Sequence, residues 1–252
     1  MNRVLLIGDN CIDEYRYGTV DRISPEAPVP VFKFSHMETK PGMAGNVKKN
    51  LEAFGLEVTA LLGPESRKTR LIDMRSKQHI LRIDEDIQAD PLVIESEFPN
   101  VYDAVVISDY CKGFVSYELV EEIRQSYAGP IFIDTKKRDL SRFNGCLVKV
   151  NAHEYSQRSS VCDTLIVTLG AEGAMYKKSE QEDYYLGHSV EVVDVCGAGD
   201  TFLSALVYEY LNTSDIPSAI LFANKASSIA VQHSGVYTLS SDDIKSIKFD
   251  NT

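Results

Sequence analysis

The chain has 252 residues, of which 44% are apolar and 25% charged. These proportions are typical of a globular protein and exclude a disordered tail, a collagen-like rod and a coiled coil. The formal net charge of −11, with no long basic run, argues against nucleic acid as a partner. The length predicts one domain over residues 1–252, large enough for the core of an enzyme.

The distribution of thiols and apolar residues indicates a cytoplasmic protein. The five cysteines, at positions 11, 111, 146, 162 and 196, are scattered and lack the spacing of metal ligands. Such a set favours reduced thiols over a disulfide framework or a zinc site. The run Val4-Leu5-Leu6-Ile7 is too short for a signal peptide, and no run approaches the ~18 apolar residues of a membrane helix. We therefore expect no membrane partner.

Short apolar runs alternate with longer amphipathic segments along the chain. Each run is bounded by Gly, Asp, Asn or Thr and predicts a buried parallel strand: 4–7, 104–107, 130–133, 147–150 and 165–167. The amphipathic segments predict helices over 46–54, 117–127, 201–211 and 218–232. This alternation predicts a three-layer α/β fold with a central, mostly parallel sheet.

Two segments, about 16–34 and 68–84, do not follow this alternation. The first is proline-rich, with prolines at 25, 28 and 30 that suit an edge strand or an extended loop. The second has two strand-like runs joined around Ser76-Lys77. Together they predict a small antiparallel sheet that projects from the domain as a lid. Alternating apolar residues in these segments, at positions 29, 31, 71, 80 and 83, favour a homodimer in which two lids cover each other.

The segment Glu191–Leu206 has the strongest chemical signal. We expect a strand over 191–195, a turn at Gly197-Ala198-Gly199 and a helix beginning near Asp200. Glycines at a helix start let backbone N–H groups converge on an anion. A carboxylate beside that anion is suited to taking a proton from a hydroxyl while a phosphoryl group is transferred. The alternative is a plain turn in which Asp200 only caps the helix.

The residues Val193-Asp-Val-Cys-Gly-Ala-Gly-Asp-Thr-Phe202 resemble the C-terminal signature of the ribokinase-like (PfkB) carbohydrate kinases. In that family the Asp is the catalytic base and the Gly-Ala-Gly amides form the anion hole. A second signature, a pair of glycines shortly before an Asn at the start of the first long helix, is matched by Pro41 to Asn46 except that Met43 stands for the second glycine. The resemblance implies a ribokinase-like fold that binds ATP and Mg²⁺, with Gly42 and Asn46 at the sugar.

One branch of that family is similar to this chain over about residues 3–240. The shared segments include Gly8 to Gly18, Arg22 to Val31 and Ser108 to Gly113. The branch is the kinase domain of bifunctional heptose-phosphate kinase/adenylyltransferases, which phosphorylates the anomeric carbon of a heptose 7-phosphate. It implies that Asp9 and Asp13 hold sugar hydroxyls, although a strand end and a turn cap remain alternatives.

The substrate's own phosphate would need cations. Five cations are candidates, namely Lys112, Lys136, Lys68, Arg70 and Arg16. We favour Lys112 and Lys136, because each of these two follows the C-terminal end of a predicted central strand, where open α/β sheets bind ligands. Every one of the five could equally be a solvated surface charge.

The remaining roles come from the resemblance alone. Asn151-Ala-His-Glu154 matches an Asn-x-x-Glu element that places Asn151 at the nucleotide phosphates and Glu154 near Mg²⁺ through water, although the same pattern is a common capping box. Other implied nucleotide contacts are Thr168, Gly170, Gly173 and Asn224. Asp194 lies where relatives bind a monovalent cation such as K⁺, beside Cys196 in place of a usual Thr.

The sequence thus predicts an ATP-dependent kinase for a heptose 7-phosphate. A kinase for another sugar, such as fructose or ribose, is the first alternative. A protein that binds a sugar phosphate or nucleotide without turnover is the second, favoured by Met43 and by the short segments 64–67 and 155–164.

Overall fold

The computed structural model describes residues 1–94 and 101–249. Within them one ten-stranded sheet runs in the order β10-β9-β8-β7-β6-β5-β1-β3-β4, with β2 paired to β1. The strands are β1 Arg3–Ile23, β2 Pro30–Met43, β3 Glu57–Asp73, β4 His79–Glu85, β5 Ala104–Asp109, β6 Ile131–Thr135, β7 Leu147–Asn151, β8 Thr164–Thr168, β9 Gly173–Lys178 and β10 Gln181–Leu186. The helices are α1 Ala44–Ala53, α2 Tyr117–Ser126, α3 Ala152–Ser156, α4 Ala198–Thr213, α5 Ile216–Ala230 and α6 Ser241–Phe249.

The sheet is covered by helices on both faces. Successive strand residues point to opposite faces, so Val4 and Leu6 pack into one core and Leu5 and Ile7 into the other. The first core contains the buried residues of α1, α4, α5 and α6, and the second contains those of α2. The predicted three-layer α/β architecture is therefore confirmed. Strands β1, β3 and β5 to β8 are parallel, while β9 and β10 add an antiparallel edge.

The predicted strand over residues 191–195 is wrong. Val193 and Val195 are 60% and 68% exposed, so the valines of this segment face solvent and not a sheet. The N–H groups of Val193 and Asp194 donate to the Val231 carbonyl at 2.8 and 3.1 Å. The end of α5 thus supplies the hydrogen-bond partner that a neighbouring strand would have given. The helix that follows begins at Ala198, two residues before the predicted start.

A smaller sheet projects beyond the helices, and its pairing differs from the prediction. Strands β1/β2 and β3/β4 pair antiparallel as expected, but β1 and β3 pair parallel from Asn10 to Gly18. The reason is that both strands run directly out of the parallel main sheet and keep their direction. We call this part, residues 10–23, 30–43, 65–73 and 79–85, the projecting sheet. Residues 24–29, with two of the three prolines, form the connection between β1 and β2.

None of the described helices has the length and apolar character needed to cross a membrane. The carboxyl ends of the parallel strands β5, β6 and β7 meet the start of α4 at one edge of the main sheet, where Asp109, Asp134, Asn151 and Asp200 line one cavity. Open α/β sheets bind ligands at this edge.

Candidate active site

The start of α4 provides the backbone for an anion site. Gly197 precedes the helix with φ 79° and ψ −2°, in the left-handed region that favours glycine. Its carbonyl accepts the Thr201 N–H at 3.0 Å, and the Ala198 N–H donates to the Val195 carbonyl at 3.3 Å. The first N–H groups of a helix have no partner within the helix, and the helix dipole favours an anion there. Gly197 and Gly199 line a cavity of about 120 Å³.

Asp200 is the buried carboxylate of this cavity. Asn46 Nδ2 donates to its Oδ2 at 2.6 Å and the Tyr110 hydroxyl donates to its Oδ1 at 3.2 Å. Burial raises the pKa of Asp200 to about 6, against the lowering effects of the Asn46 hydrogen bond and of Lys149. The carboxylate is therefore held in one orientation and is ionised at neutral pH, as a general base must be.

Sequence reasoning missed a buried ion pair in the same cavity. Lys149 of β7 donates from Nζ to Asp134 Oδ2 of β6 at 2.8 Å, and the Lys149 side chain is only 4% exposed. A Cβ on Gly199 would lie 3.0 Å from this ammonium, so the positive charge lies against the anion site. Burial opposes the charge on Lys149, but the attraction of Asp134 outweighs it and raises the pKa of the ammonium. The available signal was a lysine within an otherwise apolar predicted strand.

Asp9 and Asp13 both lie on β1. Asp9 lies where β1 leaves the main sheet, and Asp13 lies within the projecting sheet. Asp9 accepts the Tyr110 and Lys112 N–H groups on Oδ2 at 2.7 and 3.2 Å, whereas its buried Oδ1 has no partner among the described residues. An unpaired buried acceptor is costly, and a sugar hydroxyl could satisfy it. Asp13 Oδ1 accepts a hydrogen bond from Arg70 at 2.5 Å.

Gly42 lies opposite Cys11 in the β1/β2 pair. A Cβ on Gly42 would lie 2.4 Å from Asp13 Oδ2 and 2.5 Å from Cys11 Sγ. This close approach explains the glycine. The next residue, Met43, adopts φ 50° although it is not glycine, and its side chain is buried. A positive φ costs backbone strain in a residue other than glycine, and the packing of the buried Met43 side chain offsets this cost.

The structure separates the two lysines favoured for a substrate phosphate. Lys136 Nζ lies 4.7 Å from the centre of the Tyr110 ring and 3.2 Å from Glu154 Oε1. The Lys112 ammonium instead bonds to Asp86. Lys68 Nζ lies 6.0 Å from the centre of the same Tyr110 ring. Arg16 bonds to Glu14 on the opposite face of the projecting sheet.

Four of the five expected nucleotide contacts line one apolar cavity of about 240 Å³ beside the start of α4. Thr168, Gly170, Gly173 and Asn224 all contribute to its wall, together with Ala198 and Gly199. Asn224 Nδ2 donates to the Tyr185 and Leu186 carbonyls at 3.1 and 3.3 Å and so fixes the β10 end of the wall. A cavity with apolar walls that opens onto an anion site suits the base and the phosphates of a nucleotide.

Asn151 and Glu154 form a capping box at the start of α3. The Asn151 side chain accepts the Glu154 N–H at 2.9 Å, and the Glu154 carboxylate accepts the Asn151 N–H at 2.8 Å. Both residues also line the cavity of Asp200. No cluster of three metal-ligating side chains occurs in the described part of the chain. Mg²⁺ commonly binds through one or two carboxylates together with substrate phosphates and waters. Glu154 offers one carboxylate of this kind in the cavity.

Asp194 holds two loops together beside the anion site. Its Oδ1 accepts the Cys196 N–H at 3.0 Å and its Oδ2 accepts the Gly235 N–H at 2.9 Å. These bonds lower the pKa of Asp194 against the effect of burial. The carboxylate therefore carries its negative charge between the Cys196 and Gly235 backbones.

Comparison with known sequences finds similarity to carbohydrate kinases and to proteins named HldE. Residues 145–243 match the model of the pfkB family carbohydrate kinases. Curated relatives from Nitratiruptor and Hyphomonas neptunium, both named bifunctional protein HldE, are 32% and 33% identical. These matches cover 96% of this chain and 64% and 63% of those proteins, so the chain spans just under two thirds of their length.

Solved structures share the fold. The ribokinase of Thermotoga maritima superposes with a TM-score of 0.74 at 14% identity, covering 99% of this chain and 100% of that one. Phosphofructokinase-2 of Escherichia coli, in complex with potassium, gives 0.74 at 17% identity, with 99% of each chain covered. The ribokinase of Cryptococcus neoformans, in complex with ADP, gives 0.72 at 13% identity over 99% of this chain and 100% of that one.

Proposed function

We propose that this chain is a carbohydrate kinase of the pfkB family, whose model its residues 145–243 match, and that it transfers the terminal phosphoryl group of ATP to a hydroxyl of a sugar phosphate. The observation that carries the proposal is the buried Asp200 carboxylate, held by Asn46 and Tyr110 at the glycine-framed start of α4. A buried carboxylate beside an anion site is costly for a purely structural helix cap, whereas a general base requires it.

In the proposed reaction each of the residues in the cavity has its own role. Asp200 accepts the proton of the sugar hydroxyl, the sugar oxygen bonds to the terminal phosphorus, and the bond from that phosphorus to the oxygen of ADP breaks. The amides from Gly197 to Gly199 and the Lys149 ammonium stabilise the charge of the phosphoryl group in transit. Mg²⁺, bound beside Glu154 and Asn151, would neutralise charge on the nucleotide phosphates.

The sugar would lie between β1, β2 and Asp200. In this pose Asp9 Oδ1 gains the hydroxyl donor that it lacks, and Asp13 and Asn46 take neighbouring hydroxyls beside Gly42. Two cations, Lys68 and Lys136, lie within 6.0 Å of the centre of the Tyr110 ring, whose hydroxyl is bonded to Asp200. Both are candidates for a phosphate on the substrate, while the Lys112 ammonium is bonded to Asp86 and that of Lys136 to Glu154.

We infer a heptose 7-phosphate as the substrate and its anomeric hydroxyl as the acceptor. The support is the relatives named bifunctional protein HldE, at about 30% identity over nearly the whole chain, and the two cations near the Tyr110 ring. A fructose- or ribose-like sugar is the second candidate, since ribokinases share the fold.

Turnover with a panel of sugars and sugar phosphates tests the proposal. With ATP and Mg²⁺ the wild type should release ADP fastest with the heptose 7-phosphate. Asp200→Asn should lose at least ~100-fold, the lower range for a general base. Asp242→Asn, at an exposed carboxylate of α6, is the matched control and should retain the rate. Equal rates for Asp200→Asn and wild type would remove Asp200 from the mechanism. Tight binding of ligands with no ADP from any of them would support a binding protein instead.

We also propose a homodimer through the projecting sheet. The side chains of Met37, Leu81 and Ile83 are 53%, 52% and 44% exposed on the face that points away from Asp13. Exposed apolar side chains on a sheet with two edge strands favour association with a second copy. Sedimentation at micromolar concentration should give twice the monomer mass, and Leu81→Asp should give the monomer. A monomeric wild type would contradict the proposal.

A further inference from the structure

Lys40 connects the projecting sheet to a distant turn of the chain. It lies on β2 directly opposite Asp13 of β1, on the face that looks toward the sugar space. Its Nζ donates to the Val236 carbonyl at 3.2 Å, and a Cβ on Gly235 would lie 3.4 Å from the same atom. The bond therefore joins a strand that borders the sugar space to a turn after α5.

The turn at Gly235 and Val236 packs against the anion site. The Gly235 N–H donates to Asp194, which also holds the Cys196 N–H. A Cβ on Gly197 would lie 3.3 Å from Val236 Cγ1, so the Val236 side chain packs directly against the residue that opens α4. A displacement of Val236 would therefore reach the Gly197 backbone without any intermediate side chain.

Lys40 forms no salt bridge within the described residues, because Oδ1 of the facing Asp13 accepts a hydrogen bond from Arg70 instead. The centre of the Tyr15 ring lies 5.8 Å from Lys40 Nζ. A cavity of about 230 Å³, lined by Lys40, Asn46, Lys49 and Tyr237, gives solvent and small ions access to this point. The ammonium is thus bonded to the Val236 carbonyl and to no carboxylate of the described residues, with room beside it.

We propose that Lys40 is a positioning residue that couples the sugar-binding strand β2 to the anion site through the Val236 carbonyl. When the sugar orders β2 at Asp13 and Gly42, Lys40 holds the turn and so fixes Gly197 for the incoming phosphoryl group. The inference rests on the proposed kinase function and adds to it a residue that touches neither reacting group.

Shortening the side chain tests the coupling. Lys40→Ala should lower kcat about tenfold, the loss expected for one hydrogen bond from a charged donor, with a smaller change in the KM for ATP. Lys40→Arg should keep most of the rate, because a guanidinium can reach the same carbonyl. Ammonium or methylammonium chloride should restore part of the Lys40→Ala rate, whereas tetramethylammonium chloride, which cannot donate a hydrogen bond, should not. Lys48→Ala, at an exposed lysine of α1 whose ammonium lies 3.7 Å from Glu52, is the matched control.

A second measurement does not depend on turnover. In Lys40→Ala the amide of Gly235 should exchange its hydrogen faster than in wild type and in Lys48→Ala, and ammonium should slow it again. Unchanged kcat in Lys40→Ala, or a loss that neither Arg nor ammonium restores together with unchanged exchange at Gly235, would overturn the coupling. A wild type with no kinase activity would instead reject the proposed function, and the exchange measurement would still decide the coupling.

Discussion

At the scale of single residues, the ionisation of Asp200 controls the proposed chemistry. Burial raises its pKa to about 6, so the base loses its negative charge as the pH falls through that value. We expect kcat/KM to fall by about tenfold for each pH unit below about 6. Rates measured between pH 4.5 and 8 test this. A profile that stays flat down to pH 4.5 would contradict the assigned base.

A sugar phosphate itself titrates in the same range, because the second pKa of a phosphate ester is about 6. Two variants separate the enzyme from the substrate. Asp134 raises the pKa of Asp200 and Lys149 lowers it. The midpoint of the pH profile should therefore move to lower pH in Asp134→Asn and to higher pH in Lys149→Met. If both profiles keep the wild-type midpoint, the titration belongs to the substrate.

The same pKa shift has a consequence for stability. A carboxyl group whose pKa is raised on folding destabilises the folded state wherever the pH lies above its unfolded value. Replacing the carboxylate by an amide removes this cost, and two pKa units correspond to about 3 kcal/mol as an upper bound. Asp200→Asn should therefore have a higher Tm than wild type at pH 7.5, and the difference should shrink as the pH falls toward 4. A lower Tm at pH 7.5 would show that the hydrogen bonds from Asn46 and Tyr110 require the charge.

At the scale of elements, the sequence predicted the strand segments whose two faces are both buried. The run Val4 to Ile7 is apolar at every position because both faces of β1 are covered there, and it was recognised. Its continuation to Ile23 was recognised only in part, because the projecting sheet is open to solvent and its residues alternate without a simple pattern. The valines of 191–195 had the composition of a strand, but hydrogen bonds to Val231 replaced those of a sheet neighbour.

In the candidate active site, too, residues that are close in sequence could be predicted and contacts between distant residues could not. Gly197, Gly199 and Asp200 could be singled out as candidates because one short segment contains them all. The pairing of Lys149 with Asp134 and the hydrogen bond from Tyr110 to Asp200 depend on neighbouring strands meeting at the sheet edge. Contacts between residues far apart in sequence leave no local pattern, so residue spacing could not have predicted them.

The junction of β2 and α1 gives a prediction at this scale. Gly42→Ala would place a methyl group 2.4 Å from Asp13 Oδ2 and 2.5 Å from Cys11 Sγ, so the Asp13 side chain must move. We expect a KM for the sugar at least tenfold higher, with a small change in the KM for ATP, because Asp13 borders only the sugar space. Gly45→Ala, whose added methyl would approach Pro41 Cβ at 3.1 Å, is the control and should change both values little. Equal effects on both substrates would argue against a sugar role for Asp13.

At the scale of the whole molecule, two strands join the main sheet to the projecting sheet without a break. β1 and β3 remain paired from one sheet to the other, apart from a register shift between Gly8 and Asn10. The alignment to the relative from Nitratiruptor spans 301 positions, more than the 252 residues of this chain, so that relative has residues with no counterpart here. The described residues at the sheet edge nevertheless bring together Asp200, the glycine-framed start of α4 and the apolar cavity beside it.

The central claim is that Asp200 directs a phosphoryl group from ATP onto a sugar phosphate. The most direct measurement is phosphorus NMR of the wild-type reaction with ATP, Mg²⁺ and a heptose 7-phosphate, with Asp200→Asn in parallel. The account predicts a product with a second phosphate on the anomeric carbon, formed in equal amount to ADP and nearly absent with Asp200→Asn. Loss of ATP to free inorganic phosphate, with no new sugar phosphate signal in the wild type, would contradict it.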